Sequence, residues 1–246
     1  MRILVHMFST SNILNYSQLA EKINRAYCEK HGYDFIHNIY DNIEYNFASL
    51  EKIASFNTYL NSAKYDYIMC IDSDACFINF EKPIEDFIKE DPEKDIFIGG
   101  QVRGMKKTKK VFPIVNGKTA GLNCGVFIMR YSKWTIDFCK HWINDFHKVT
   151  EPYFYEQDLM QKYVINNILN IQNHIHLITP AYRINREDVK TKETRHEKWD
   201  RCDFILHLWG SKADFRIQVF NEVLKGNKPY IHDTFEMPTF NVPRCL

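Results

Sequence analysis

No run in this 246-residue chain comes near the roughly 20 consecutive apolar residues that a membrane-spanning helix requires. Met1–Phe8 is too short and too mixed for the apolar core of a secretory signal, so the expectation is a soluble, cytoplasmic protein or one that has lost its anchor. Without such a signal the single sequon, Asn15-Tyr16-Ser17, is read as chance. Charge of one sign is not in excess either. The 32 basic side chains stand against 31 acidic ones, which argues against recruitment of nucleic acid or an anionic membrane by net charge. The seven cysteines (28, 70, 76, 124, 139, 202 and 245) are odd in number and form no C-x-x-C pair, so they are expected to be reduced and mostly buried rather than to hold zinc. With no linker, internal repeat or low-complexity tract, residues 1–246 are expected to fold as one domain.

What is present is concentrated in Tyr65–Asn79, YDYIMCIDSDACFIN. Its apolar part reads as a buried strand that delivers Asp72 and Asp74 at its C-terminal end, where ligands bind in open α/β sheets. Carboxylates there are badly solvated unless a cation neutralises them. Oxygen ligands favour a hard ion such as Mn²⁺ or Mg²⁺, which usually binds together with substrate phosphates. A D-x-D triplet can also merely cap a helix or decorate a loop. An EF-hand loop would need a further oxygen ligand and a glycine where Cys76 and Phe77 stand. A phosphatase with a D-x-D nucleophile usually carries that motif on its first strand, and this one comes late.

Around this segment the chain alternates strands and helices. Arg2–Phe8 reads as a strand followed by the polar turn Ser9-Thr10-Ser11-Asn12, a candidate phosphate- or base-contacting loop. Gln18–His31 has helical spacing and stops at Gly32, Tyr33–Ile39 is a second strand, and Ala48–Ala63 is an amphipathic helix leading into the acidic strand. This order predicts an α/β fold with a mostly parallel sheet. Further on, Pro83–Lys89 reads as a short helix and Asp95–Gly99 as a strand. Gly121–Arg130 reads as a glycine-flanked turn entering a strand, Trp134–Phe146 as a helix and Phe204–Trp209 as a buried strand. The run MKKTKK (105–110) is a solvated loop or a collector of anionic substrate. Arg186–Lys198, dense in charge, reads as a mobile surface segment or a lid.

Three further residues suit a diphosphate-sugar site, and each has a plainer alternative. His207, among apolar neighbours, is a core histidine or a neutral imidazole ligand. Lys212 is a surface lysine or a point charge for phosphate. Gln157 lies in Glu156-Gln157-Asp158, where acids at a helix start satisfy the dipole and need no catalytic role.

Taken in order, Tyr27-Cys28 to His31-Gly32-Tyr33-Asp34, Lys52-Ile53, Asp72-Ser73-Asp74-Ala75 with Phe77, Gly121-Leu122-Asn123 with Gly125-Val126-Phe127 and Arg130, Trp134, Glu156-Gln157-Asp158, and His207 with Gly210 and Lys212 carry a resemblance that spans most of the chain. The chain resembles glycosyltransferase family 34, the fungal α-galactosyl- and mannosyltransferases and plant xyloglucan xylosyltransferases of GT-A fold. That resemblance implies a single Rossmann-like sheet flanked by helices and a retaining, Mn²⁺-dependent (or Mg²⁺-dependent) transfer from a UDP-sugar to a glycan acceptor. It implies that Asp72, Asp74 and His207 hold the metal and that Lys212 binds the diphosphate. Asn123 and Gln157 would face the donor sugar, with Asp72 orienting it, and Phe8, Ser9, Lys52, Ser73 and Gly210 would complete the donor site. Residues 1–120 would serve mainly the nucleotide sugar, and 121–246 the acceptor and the histidine ligand. Leu50-Glu51-Lys52 lacks the tryptophan common before that lysine, and the segments after Gly210 match only loosely. A soluble member from a viral or microbial genome is the expectation. A metal-dependent phosphohydrolase and an inactive glycan-binding protein are the alternatives from other classes.

Overall fold

The computed structural model describes residues 1–41, 45–101, 114–115, 118–119, 121–148, 156–179, 183–187 and 203–226. Its first half alternates as the hydrophobic pattern predicts: β1 (Ile3–Thr10), α1 (Leu14–His31), β2 (Asp34–Tyr40), α2 (Tyr45–Asn61) and β3 (Tyr67–Asp72). Then come β4 (Ala75–Phe77), the single turn α3 (Glu85–Ile88), β5 (Ile96–Gln101), β6 (Ile114–Val115), β7 (Lys118–Thr119), β8 (Gly121–Arg130) and α4 (Lys133–Phe146). The C-terminal part supplies α5 (Glu156–Ile165), the short α6 (Ile171–His174), β9 (Ile175–Ile178), β10 (Arg186–Glu187), β11 (Ile205–His207) and α7 (Ala213–Leu224). None of the described helices is long and apolar enough to cross a membrane.

Six strands form the central sheet in the order β2-β1-β3-β8-β5-β9. β1, β2 and β3 run parallel, β8 is antiparallel to both β3 and β5, and β9 is parallel to β5, so five strands share one direction and β8 opposes them. Side chains on successive strand residues point to opposite faces. Val5, Met7, Met69 and Ile71 therefore meet Tyr16, Ala20, Ile23 and Tyr27 of α1, while Leu4, Ile68 and Cys70 join Leu50, Ile53 and Phe56 of α2 and Phe138 and Trp142 of α4. Each fully buried Val, Leu, Ile, Met or Phe side chain here contributes about 1.5–3 kcal/mol, and burial on both faces explains the unbroken apolar run of β3. The five cysteines that are described, 28, 70, 76, 124 and 139, are free and buried.

Four segments differ from their expected form. β1 continues through Ser9 and Thr10, which pair with Ile39 and Tyr40 of β2, instead of turning after Phe8. Tyr65–Asn79 is not one strand: Ser73 and Asp74 form a turn, after which β4 leaves the central sheet for a small one of order β10-β11-β4. Gly121–Gly125 is strand and not turn. Arg186 and Glu187, expected in a mobile segment, pair with Leu206 and His207. Residues 188–198 and the basic run 105–110 lie outside the described residues.

The departure of β4 is held by α1. The buried Asn24 side chain donates to the Ala75 carbonyl (3.1 Å) and accepts from the Phe77 N–H (3.0 Å), so one amide satisfies two groups of the strand. α1 itself ends where Gly32 adopts φ +72°, a left-handed cap that glycine reaches without strain.

Candidate metal and donor site

The end of β3 and the β3–β4 turn place Asp72 and Asp74 at the seam between the two sheets. β11 runs antiparallel to β4 with His207 opposite Ala75, and the Leu208 N–H donates to the Asp74 carbonyl at 2.9 Å. These backbone bonds lay the imidazole against the acidic turn. His207 Nε2 lies 3.1 Å from Asp74 Oδ1 and 3.7 Å from Asp72 Oδ2. One potential ligand atom from each of Asp72, Asp74 and His207 lies within 4.8 Å of the others.

The third wall is β8. Val126 pairs with Ile71, which brings Gly125 alongside Asp72. A Cβ on Gly125 would collide with His207 Cε1 and lie 2.8 Å from both Asp72 Oδ2 and His207 Nδ1. Glycine is thus required here for close approach.

Among the described residues, two cations attend the carboxylates. Lys52 of α2, only 6% exposed, donates to Asp72 Oδ1 (2.9 Å), to Glu156 Oε1 and to the Cys124 carbonyl (3.3 Å). Burial works against its charge, but Asp72 and Glu156 outweigh that and hold its ammonium well above the usual lysine range. Arg216 of α7 donates through Nη2 to Asp74 Oδ2 at 2.6 Å. Burial opposes ionisation of Asp74 too, yet His207 and Arg216 together hold its carboxyl below the usual range. Asp72 is pushed upward by burial against the pull of Lys52 and His207. Among the described residues, the acids Asp72, Asp74 and Glu156 face the two bases Lys52 and Arg216 in this cluster.

The other expected donor-site residues are engaged to different degrees. Asn123 Oδ1 accepts from the Gly125 N–H (2.7 Å), and Gln157 Oε1 accepts from the Cys124 N–H (3.1 Å), so both amides are fixed to β8. Ser73 is half-buried in the acidic turn. Phe8 packs against Tyr40 at 5.3 Å. Ser9 is buried, its hydroxyl 2.6 Å from His37 Nε2, whose Nδ1 lies 2.9 Å from Glu21. Gly210 (φ +67°) is exposed in the turn after β11, and Lys212 is exposed at the start of α7. Lys52 meets Asp72 directly. Three further contributors escaped sequence reasoning: the clearance at Gly125, the Glu156 carboxylate and the Arg216 guanidinium. Gly125 and Glu156 stand within motifs that carry the resemblance but were given no part in the site, and Arg216 lies outside every such motif.

Among the solved structures that share this architecture are two glycosyltransferases. A glycosyltransferase involved in the glycosylation of the major capsid of PBCV-1 superposes with a TM-score of 0.66 at 17% identity, over 90% of this chain and 99% of that one. The galactosyltransferase LgtC, in complex with donor and acceptor sugar analogues, superposes with a TM-score of 0.52 at 14% identity, over 92% and 97% of the two chains. A search of curated protein sequences finds no match. The shared fold is that of the GT-A glycosyltransferases. Within that class the chain belongs to the galactosyl transferase GMA12/MNN10 family, whose model matches residues 3–216.

Proposed function

We propose that this glycosyltransferase transfers a sugar from a UDP-sugar to a glycan acceptor with retention of configuration, using Mn²⁺ or, failing that, Mg²⁺. The observation that carries the proposal is the convergence of Asp72, Asp74 and His207 at the strand ends of a GT-A sheet. The donor set fits such an ion. Two carboxylates and an imidazole suit a divalent cation of intermediate hardness, the acids of the cluster outnumber the bases among the described residues, and Gly125 leaves the side chains room to converge. Asp72, Asp74 and His207 would hold the ion, which when bound supplies positive charge beside the diphosphate leaving group.

The chain's own residues then divide the work. Lys212 adds a charge at the diphosphate, an interaction that strengthens as the leaving group gains negative charge in the transition state. Lys52 favours the charged form of Asp72 against its burial and helps to orient it toward the donor. Asn123 and Gln157, immobilised by β8, present amide dipoles to the donor sugar, and Gln157 stabilises the developing positive anomeric carbon. An amide is a weak nucleophile, so attack by the acceptor hydroxyl from the leaving-group face is favoured over a covalent intermediate. Phe8, Ser9, Ser73 and Gly210 complete the donor side, and residues after 120 supply most of the acceptor side.

The test is a panel of nucleotide sugars with Mn²⁺, with and without glycan acceptors, scored for nucleotide release and for product linkage by NMR. Acceptor-dependent release of UDP with an α-linked product from an α-linked donor is expected. A β-linked product would exclude retention, hydrolysis of simple phosphate esters would favour a phosphohydrolase, and ligand binding without turnover would favour an inactive binding protein.

A further inference from the structure

The Asp74 carboxylate is gripped from two sides. His207 Nε2 lies 3.1 Å from Oδ1, while Arg216 Nη2 donates to Oδ2 at 2.6 Å. The guanidinium is itself pinned: Nε donates to the Leu208 carbonyl at 3.2 Å, and the group lies 4.7 Å from the centre of the Tyr16 ring of α1. The Arg216 side chain is only 14% exposed. Leu208 also donates its N–H to the Asp74 carbonyl, so Arg216, Leu208 and Asp74 close a ring of contacts joining α7, the end of β11 and the acidic turn. Two nitrogens of one rigid fork make these bonds, a geometry that a lysine ammonium cannot reproduce.

We infer that Arg216 is a positioning residue that fixes Asp74 for the cation, engaging Oδ2 so that Oδ1 is turned toward His207. The inference rests on the metal reading proposed above. A positive charge this close has two opposing effects on a divalent ion. It repels the ion, so its removal taken alone would tighten binding. It also orients a ligand, and partners that orient ligands typically change metal affinity by about 10- to 100-fold when removed. The bond to Asp74 and the second bond to Leu208 indicate that orientation dominates.

Calorimetric titration of Mn²⁺ into the unsubstituted protein, Arg216→Lys, Arg216→Met and Tyr16→Leu separates these effects, with thermal unfolding in chelator as a control for folding. Arg216→Lys is expected to bind Mn²⁺ about tenfold more weakly or worse although its charge is kept, with Arg216→Met weaker still and Tyr16→Leu intermediate. If Arg216→Met does not fold, the lysine and Tyr16 variants decide the matter. Unchanged affinity in Arg216→Lys, or tighter binding in Arg216→Met, would overturn the positioning role while leaving the metal site intact. No Mn²⁺ binding by the unsubstituted protein would overturn both.

Discussion

Gly125 and His207 are in contact so close that the glycine cannot carry a side chain: a Cβ there would overlap the imidazole and crowd Asp72 Oδ2 at 2.8 Å. His207 is almost wholly buried and cannot swing aside at low cost. Gly125→Ala is therefore expected to push the imidazole out of the cluster and weaken Mn²⁺ binding at least tenfold, a loss on the scale of disturbing a metal ligand's support. Calorimetry on the folded variant checks this. Unchanged affinity would mean that His207 is not a ligand.

Lys52 and Glu156 form a buried pair, with side chains 7% and 9% exposed. Removing one member of such a pair leaves an uncompensated charge and costs about 3–5 kcal/mol. Lys52→Met should show a loss of that size in urea unfolding with chelator present, and Glu156→Gln added to it should restore part of the stability. A loss confined to turnover, with no change in the unfolding midpoint, would assign Lys52 to the donor alone.

Gln157 is fixed by the Cys124 N–H, so its proposed influence on the sugar should depend on the orientation of its amide dipole. Gln157→Ala is expected to lower kcat by at least tenfold while changing UDP affinity much less, because the proposed contact is to the sugar carbon. Steady-state kinetics together with UDP titration would distinguish this from a general loss of donor binding.

His6, at the centre of β1, meets Ser55 Oγ through Nε2 at 3.2 Å, and its Nδ1 finds no partner among the described residues. Burial, reinforced by the charges of Lys52 and His37, pushes its pKa down to about 3. The unfolded chain thus binds a proton near pH 6.5 that the folded chain refuses until about pH 3. Stability is complete above the higher value and falls between the two as pH drops, by about 1.4 kcal/mol per unit or about 2 kcal/mol from pH 6.5 to 5. His6→Leu should flatten the pH dependence of the unfolding free energy by about that amount. An equally steep dependence would mean that the histidine is protonated within the fold.

The helices, the early strands and the acidic pair were legible because their causes are local. Apolar spacing sets α1 and α2, Gly32 stops α1, and double-sided burial marks β3. The break after Asp72 was not legible, because Ala75, Cys76 and Phe77 continue the apolar run and only pairing with β11 and the Asn24 clamp divert it. The antiparallel insertion of β8 between β3 and β5 was hidden for the same reason, since a buried strand reads alike in either direction. In the site, Asp72, Asp74 and His207 could be named from residue type and motif order. Gly125, Glu156 and Arg216 matter through contacts with residues far away in sequence, which no spacing rule encodes.

Placing the site at a seam between sheets also fixes when it can come into being during synthesis. Asp72 and Asp74 leave the ribosome long before β11 brings His207 and α7 brings Arg216. Until then β4 lacks β11, the strand it pairs with among the described residues, and the carboxylates have Lys52 as their nearest described counter-charge. Non-local pairings of this kind form late, after their loops have closed. Asp72, Asp74 and His207 can therefore come together only once β11 has been made, so an ion held by the three, as proposed above, could bind only after that.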